Sequence, residues 1–138
     1  MLGARAGQHQ QQAHVVADDG VFVLQVVVQA QAHGGQVLSY LPTDEPHDLL
    51  FVSRQALFQP GKAIKGGIPV CWPWFGPDPD GRGRPDHGFV RSADWRLLST
   101  EAMADGATRL RLGIRDDAAT RSLWDHAFDL DIEITIGE

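Results

Sequence analysis

Cysteine is nearly absent from this chain: Cys71 is the only one in 138 residues. That excludes an intramolecular disulfide and a cysteine-based zinc cluster. A single thiol within an apolar run reads as a small buried hydrophobe. Long hydrophobic stretches are missing as well. Nothing approaches the roughly 20 apolar residues needed to cross a bilayer. The polar, glutamine-rich start from Met1 to His14 has no apolar stretch of the kind a secretory signal requires. The expectation is a soluble, cytoplasmic protein with no membrane association. Basic residues are outnumbered, 12 against 18 acidic, for a formal net charge of −6. This argues against general nucleic-acid binding, which needs a basic footprint, but not against one small cationic pocket, because net charge does not fix the local field.

Signature motifs are equally sparse. There is no Gly-x-x-x-x-Gly-Lys-Ser/Thr phosphate loop and no Gly-x-Ser-x-Gly elbow. His9, His14, His33 and His47 show no ligand spacing, and Asp78, Asp80 and Asp86 do not fit a calcium loop. No metal site is expected.

What is present is a pattern of short strands. The length fits one domain at the usual prior of about 100–200 residues. Residues 1–15 have little to bury and read as a flexible arm, leaving 16–138 as the folded part. Val21 to Val28 is a valine-rich run that suits a strand. Gly34 and Gly35 turn the chain into a second candidate, Gln36 to Leu41, and Leu49 to Val52 is a third. Asp94 to Thr100 is followed by a turn at Asp105 and Gly106. Thr108 to Ile114 alternates Leu110, Leu112 and Ile114 against Arg109 and Arg111. Phe128 to Ile136 alternates without a break, and Asp116 to Trp124 can form a turn or two of helix. Six to eight strands with little helix predict a mainly β fold, a sandwich.

Between Phe58 and Arg91 the chain changes character. Prolines and glycines crowd this stretch and rule out long regular elements. Trp72, Trp74, Phe75 and Phe89 are interleaved with them and have reason to be buried. The segment therefore predicts an ordered, irregular loop system, the kind of structure that often carries function.

Within it lie Lys62-Ala-Ile-Lys-Gly-Gly-Ile-Pro-Val-Cys-Trp-Pro-Trp-Phe-Gly76, then Asp86-His-Gly-Phe-Val-Arg91 and Trp95. With Gly35-Gln-Val-Leu-Ser-Tyr40 upstream and Leu123-Trp-Asp-His-Ala-Phe128 downstream, this resembles the glucose-6-phosphate 1-epimerase (hexose-6-phosphate mutarotase) branch of the aldose 1-epimerase family. The resemblance runs from about Val21 to the end. It implies a galactose mutarotase-like antiparallel β-sandwich, of which this chain is the N-terminal portion. It also implies a hexose 6-phosphate partner whose α and β anomers interconvert, and no cofactor. The family's main catalytic histidine and glutamate correspond to positions past Glu138, so the chain by itself is expected to show little or no turnover.

The same resemblance singles out four residues. His87 matches a histidine that lines the sugar site, where an imidazole can hydrogen-bond a sugar oxygen or, as a candidate catalytic group, transfer a proton; its alternative is a structural hydrogen bond. Arg91 falls where the family places a cation near the phosphate, and a guanidinium can clamp a phosphate with two parallel bonds; its alternative is a salt bridge with an acid such as Asp94. Lys65 stands in place of the family's arginine, keeping the charge without the planar fork, or is simply an exposed charge. Asp86 departs from the family's small or amide residue; it would repel a phosphate unless it bonds sugar hydroxyls or pairs with Arg91.

Gly66 and Gly67 allow either a ligand or a tight turn to approach the backbone. Trp72 and Trp74 could stack on a sugar or anchor the loops. His126 is expected to make a structural hydrogen bond. A partial sandwich exposes strand edges and apolar faces, which invites a homodimer.

Overall fold

The computed structural model describes residues 12–15, 24–27, 32–42 and 45–136, with side chains from His33 onward. Two antiparallel sheets account for its strands. In one, β1 (Gln12–Val15) pairs with β2 (Leu24–Val27). The larger has the order β3-β4-β5-β6, formed by Ala32–His33, Asp94–Ala102, Thr108–Arg115 and Asp129–Ile136. The mainly β expectation holds. Residues 1–11 of the expected arm lie outside the described residues, as do both ends of Val21 to Val28.

The alternation read in β5 and β6 is what organises the sheet. Leu110 faces Ile134, Leu112 faces Ile132 and Ile114 faces Leu130 across the ladder. Leu110 and Leu112 are buried almost completely, each contributing roughly 1.5–3 kcal/mol relative to exposure. On the opposite face Arg111 pairs with Asp131 at 2.8 Å, and Arg115 pairs with Asp129 at 2.8 Å. Exposed pairs of this kind contribute about 0–1 kcal/mol each, so the apolar face decides the register.

β4 departs from plain alternation. Its register against β5 shifts between Leu97 and Ser99, a bulge that leaves both Leu97 and Leu98 partly solvated. Only Trp95 of this strand is buried, donating its indole N–H to the Val90 carbonyl at 3.0 Å. The Asp105–Gly106 turn forms as read, with the Ala107 N–H bonded to Asp105 Oδ1 at 3.0 Å. α1 (Ala118–Leu123) also forms. Its N-cap Asp117 accepts the Thr120 N–H at 2.8 Å, while Thr120 Oγ1 accepts the Asp117 N–H at 2.8 Å.

Two expected strands shrink to isolated bridges, among them Val37 with Ile68 and Val52 with Gly66. Glycine supplies the reason at the second: a Cβ on Gly66 would stand 2.4 Å from the Phe51 carbonyl oxygen, so the backbones cross closely rather than running in a ladder. The core comprises Phe89, Val90, Trp95, Leu110, Leu112, Ile114 and Ile136. Cys71 is half-buried rather than buried. Among the described residues no helix is long and apolar enough to cross a membrane.

Candidate functional site

The irregular stretch from Phe58 to Arg91 is held in shape by three anchors, and each uses residues the sequence had put there. The first is a polar clasp. The Asp78 carboxylate accepts backbone N–H groups from Asp80 (3.1 Å), Arg82 (2.7 Å) and Arg84 (3.0 Å), and the Arg84 Nε–H at 2.9 Å. Arg84 is itself buried. It also reaches Asp80 at 2.6 Å and the Leu123 carbonyl at 3.1 Å, and lies 4.4 Å over the Trp74 ring. The Arg84 guanidinium, opposed by burial and aided by the backbone N–H groups, holds the Asp78 carboxyl well below the usual carboxylate range.

Tryptophans supply the second anchor. Trp72 packs edge-on against Phe128, Trp124 and Phe89, with ring centroids 4.6, 5.0 and 6.0 Å away. Trp74 donates its indole N–H to the Pro85 carbonyl at 3.0 Å. Both indoles thus tie the loops to the core, the anchoring alternative of the two readings. His126 lies 4.3 Å from the Trp124 ring, and only its backbone N–H makes a hydrogen bond among the described residues. The expected side-chain bond is replaced by ring packing.

The third anchor is His87. Its φ of 65° is left-handed, a conformation costing a non-glycine residue roughly 1–2 kcal/mol. Two bonds to one residue offset that cost. The His87 N–H donates to the Gly76 carbonyl at 2.7 Å, and the Gly76 N–H donates to His87 Nδ1 at 3.0 Å. Next to it Gly88 has no alternative, since a Cβ there would sit 1.9 Å from the Trp72 carbonyl oxygen. Because Nδ1 accepts, the neutral imidazole carries its hydrogen on Nε2. His87 therefore presents a hydrogen-bond donor on its other side.

Asp86, His87 and Arg91 line one open cavity of about 460 Å³, together with Lys62 and Ser92. Three of the four predicted site residues are thus brought together. Lys65 is not: its side chain is exposed and outside this lining, while its carbonyl accepts the Ser53 N–H at 2.9 Å. Gly66 and Gly67 lie outside the lining as well, pressed against the Phe51 and Val37 carbonyls.

Arg91 occupies the 3-10 turn Val90–Ser92. It is half-buried, its Nε is buried without a hydrogen-bond partner, and it forms no ion pair among the described residues. Asp94, the acid it was expected to pair with if it were merely structural, instead contacts His33 at 3.1 Å. A cation kept free beside a cavity is suited to an anionic ligand. Sequence reasoning missed Lys62 and His33. Lys62 stood at the head of the same motif, but no periodicity in an irregular loop tells which of two lysines borders the cavity. A larger cavity of about 640 Å³ beside β4, β5 and α1 contains none of the four predicted residues. Among the described residues no cluster of three or more histidine, cysteine or acidic side chains could hold a metal.

Known proteins place this geometry in context. The aldose 1-epimerase family model matches residues 24–138. Candidate glucose-6-phosphate 1-epimerases of Escherichia coli (strain K12) and Salmonella typhimurium are 38% and 35% identical over 114 residues, covering 83% of this chain and 38% of theirs. The crystal structure of a candidate mutarotase, YeaD from Salmonella typhimurium, is 29% identical. It superposes with a TM-score of 0.73 over 93% of this chain and 46% of its own. Slr1438 from Synechocystis sp. PCC 6803 shares the fold at 22% identity, with a TM-score of 0.76 over 99% of this chain and 48% of its own. The chain spans less than half the length of each of these proteins.

Proposed function

The chain belongs to the aldose 1-epimerase family, and on that premise we propose that the cavity at Asp86, His87 and Arg91 binds a hexose 6-phosphate undergoing exchange of its α and β anomers. The observation that carries this reading is the Arg91 guanidinium, half-buried beside the cavity and in no hydrogen bond or ion pair among the described residues. It matches a phosphate, which accepts paired N–H bonds. The Nε2–H of His87 would donate to a sugar oxygen, and Asp86 would accept from a hydroxyl.

Anomer exchange opens and recloses the pyranose ring. It needs an acid to protonate the ring oxygen and a base to remove the C1 hydroxyl proton. His87 is a poor base in this setting, because Nδ1 is already engaged and Nε2 bears the hydrogen. We assign it to binding and orientation. In the longer relatives the acid–base pair would come from polypeptide beyond the matched region. The residues of this chain then supply the sugar-phosphate-binding part of the site, on a β-sandwich scaffold. Self-association into a homodimer belongs to the same proposal, supported by solvent-facing Phe51 and Ile68, which are 76% and 55% exposed.

Saturation-transfer NMR on glucose 6-phosphate tests the assignment. We expect anomer exchange at the rate in buffer, with ligand binding detectable. Acceleration abolished by His87→Ala would overturn it.

A further inference from the structure

We infer that Phe75 is the aromatic platform of the site, the surface on which the apolar C–H face of a closed pyranose ring rests beside His87. The inference rests on the sugar-phosphate reading above and deepens it, by naming what selects a sugar ring over an open-chain polyol phosphate.

An unmet expectation points to it. Trp72, Trp74, Phe75 and Phe89 all have reason to be buried, and three of them comply: Phe89 is buried and the two tryptophans are half-buried. Phe75 is 81% exposed, more than any other large hydrophobic residue among those described. The tryptophans, which the sequence offers as stacking surfaces, are occupied as anchors. The Trp72 ring meets Phe128, Trp124 and Phe89. Trp74 has its N–H on the Pro85 carbonyl and the Arg84 guanidinium over its ring. Phe75 keeps one ring contact among the described residues, with His87, at 4.8 Å between centroids and 65° between planes.

That contact places Phe75 at the edge of the site. Phe75 does not border the cavity itself, but the His87 ring against which it packs does. Its backbone is also held. The next residue, Gly76, exchanges bonds of 2.7 and 3.0 Å with His87, and Pro73 and Pro77 restrict the chain on either side. An exposed ring on a fixed backbone loses little freedom on meeting a ligand.

The chemistry meets a need the cavity leaves open. Arg91 suits the phosphate, and His87 and Asp86 suit the sugar oxygens, whereas Ala63 and Pro85 are the only apolar side chains bordering the cavity. Sites for small ligands combine a few placed polar groups with apolar and aromatic surface. A pyranose with equatorial hydroxyls presents its axial C–H bonds on its two faces. Those hydrogens are slightly positive, and the face of a phenyl ring is the negative part of its quadrupole. An open-chain polyol phosphate has the same polar groups and no such face.

The test is titration calorimetry on the 138-residue chain with glucose 6-phosphate, acyclic glucitol 6-phosphate and inorganic phosphate, beside proton NMR of the bound sugar. Wild type should prefer glucose 6-phosphate to glucitol 6-phosphate, with the pyranose C–H signals moved upfield by ring current. Phe75→Leu should weaken glucose 6-phosphate about three- to tenfold, the size of one aromatic contact. It should also remove the upfield shift and leave inorganic phosphate within about twofold of wild type. Phe75→Trp should restore affinity and shift together. The side chain is exposed, so neither variant disturbs the core.

Unchanged affinity or an unchanged shift in Phe75→Leu, an equal loss for inorganic phosphate, or no recovery in Phe75→Trp overturns the platform while the sugar-phosphate reading stands. Equal wild-type affinity for the ring and open-chain phosphates does the same. Wild-type protein that binds no glucose 6-phosphate overturns this inference and the functional reading together.

Discussion

The Nδ1 atom of His87 accepts the backbone N–H of Gly76 at 3.0 Å, while the His87 N–H returns a bond to the Gly76 carbonyl at 2.7 Å. This reciprocal pair fixes the tautomer of the imidazole and the approach of two loops in one step. It also separates what His87 does for the fold from what it can do for a ligand.

Asparagine tests that separation. Its side-chain oxygen can accept the Gly76 N–H in place of Nδ1, and it tolerates the left-handed backbone better than most residues. His87→Asn should keep wild-type thermal stability within about 0.5 kcal/mol yet weaken sugar binding about three- to tenfold, as one lost neutral hydrogen bond would. His87→Ala should lose both, since it removes the Gly76 partner at a φ that alanine resists. Differential scanning calorimetry beside ligand titration reads the two effects separately.

Acid should loosen the loop clasp. Arg84 first, and then the backbone N–H groups, stabilise the ionised form of Asp78 against the opposing effect of burial. The native carboxyl therefore titrates below its unfolded value of about 3.9. Stability from this group is complete above about pH 5. It shrinks as pH falls below the unfolded value, where the unfolded chain takes up the proton first, and is gone once the native carboxyl is protonated. Wild type should exceed Asp78→Asn in urea midpoint at pH 7, and the gap should narrow towards pH 3. A gap that widens in acid would reverse the sign and refute the clasp.

Core truncation gives a control far from the cavity. Leu112 is fully buried opposite Ile132, so Leu112→Ala should cost about 2–5 kcal/mol. Chemical denaturation should show this loss, with ligand affinity unchanged under conditions where the variant remains folded.

Self-association is checked by sedimentation velocity across a concentration series. The account expects a dimer that Phe51→Glu shifts towards monomer. A strict monomer at all concentrations would remove this part of the proposal.

The strands β5 and β6 were legible because a strict two-residue alternation leaves one face to bury, and the register then follows from matching Leu110, Leu112 and Ile114 to their partners. The bulge at Leu97 and Ser99 was not, since two adjacent leucines fit a strand or a bulge equally well. Val37 and Val52 sat in runs with strand composition, but the glycines at 66 and 67 let backbones cross at isolated bridges. Composition cannot distinguish that from a ladder. In the candidate site, Asp86, His87 and Arg91 lie within six residues, and the turn geometry brings them to one cavity. Lys65 was chosen by resemblance. Lys62, three residues earlier, is the lysine among the residues bordering the cavity, in a loop held by long-range anchors such as the contact of His33 with the Lys62 carbonyl. Those anchors join residues 29 and 61 positions apart, a distance at which no local pattern speaks.

Arg91 is the test on which the whole functional account turns. Calorimetric titration of wild type and Arg91→Gln with glucose 6-phosphate and with glucose measures it directly. The account predicts that wild type prefers the phosphorylated sugar and that the glutamine variant loses roughly 10- to 100-fold for that ligand alone. Equal affinity for both sugars in the wild type, or an Arg91→Gln protein that keeps the preference, would contradict it.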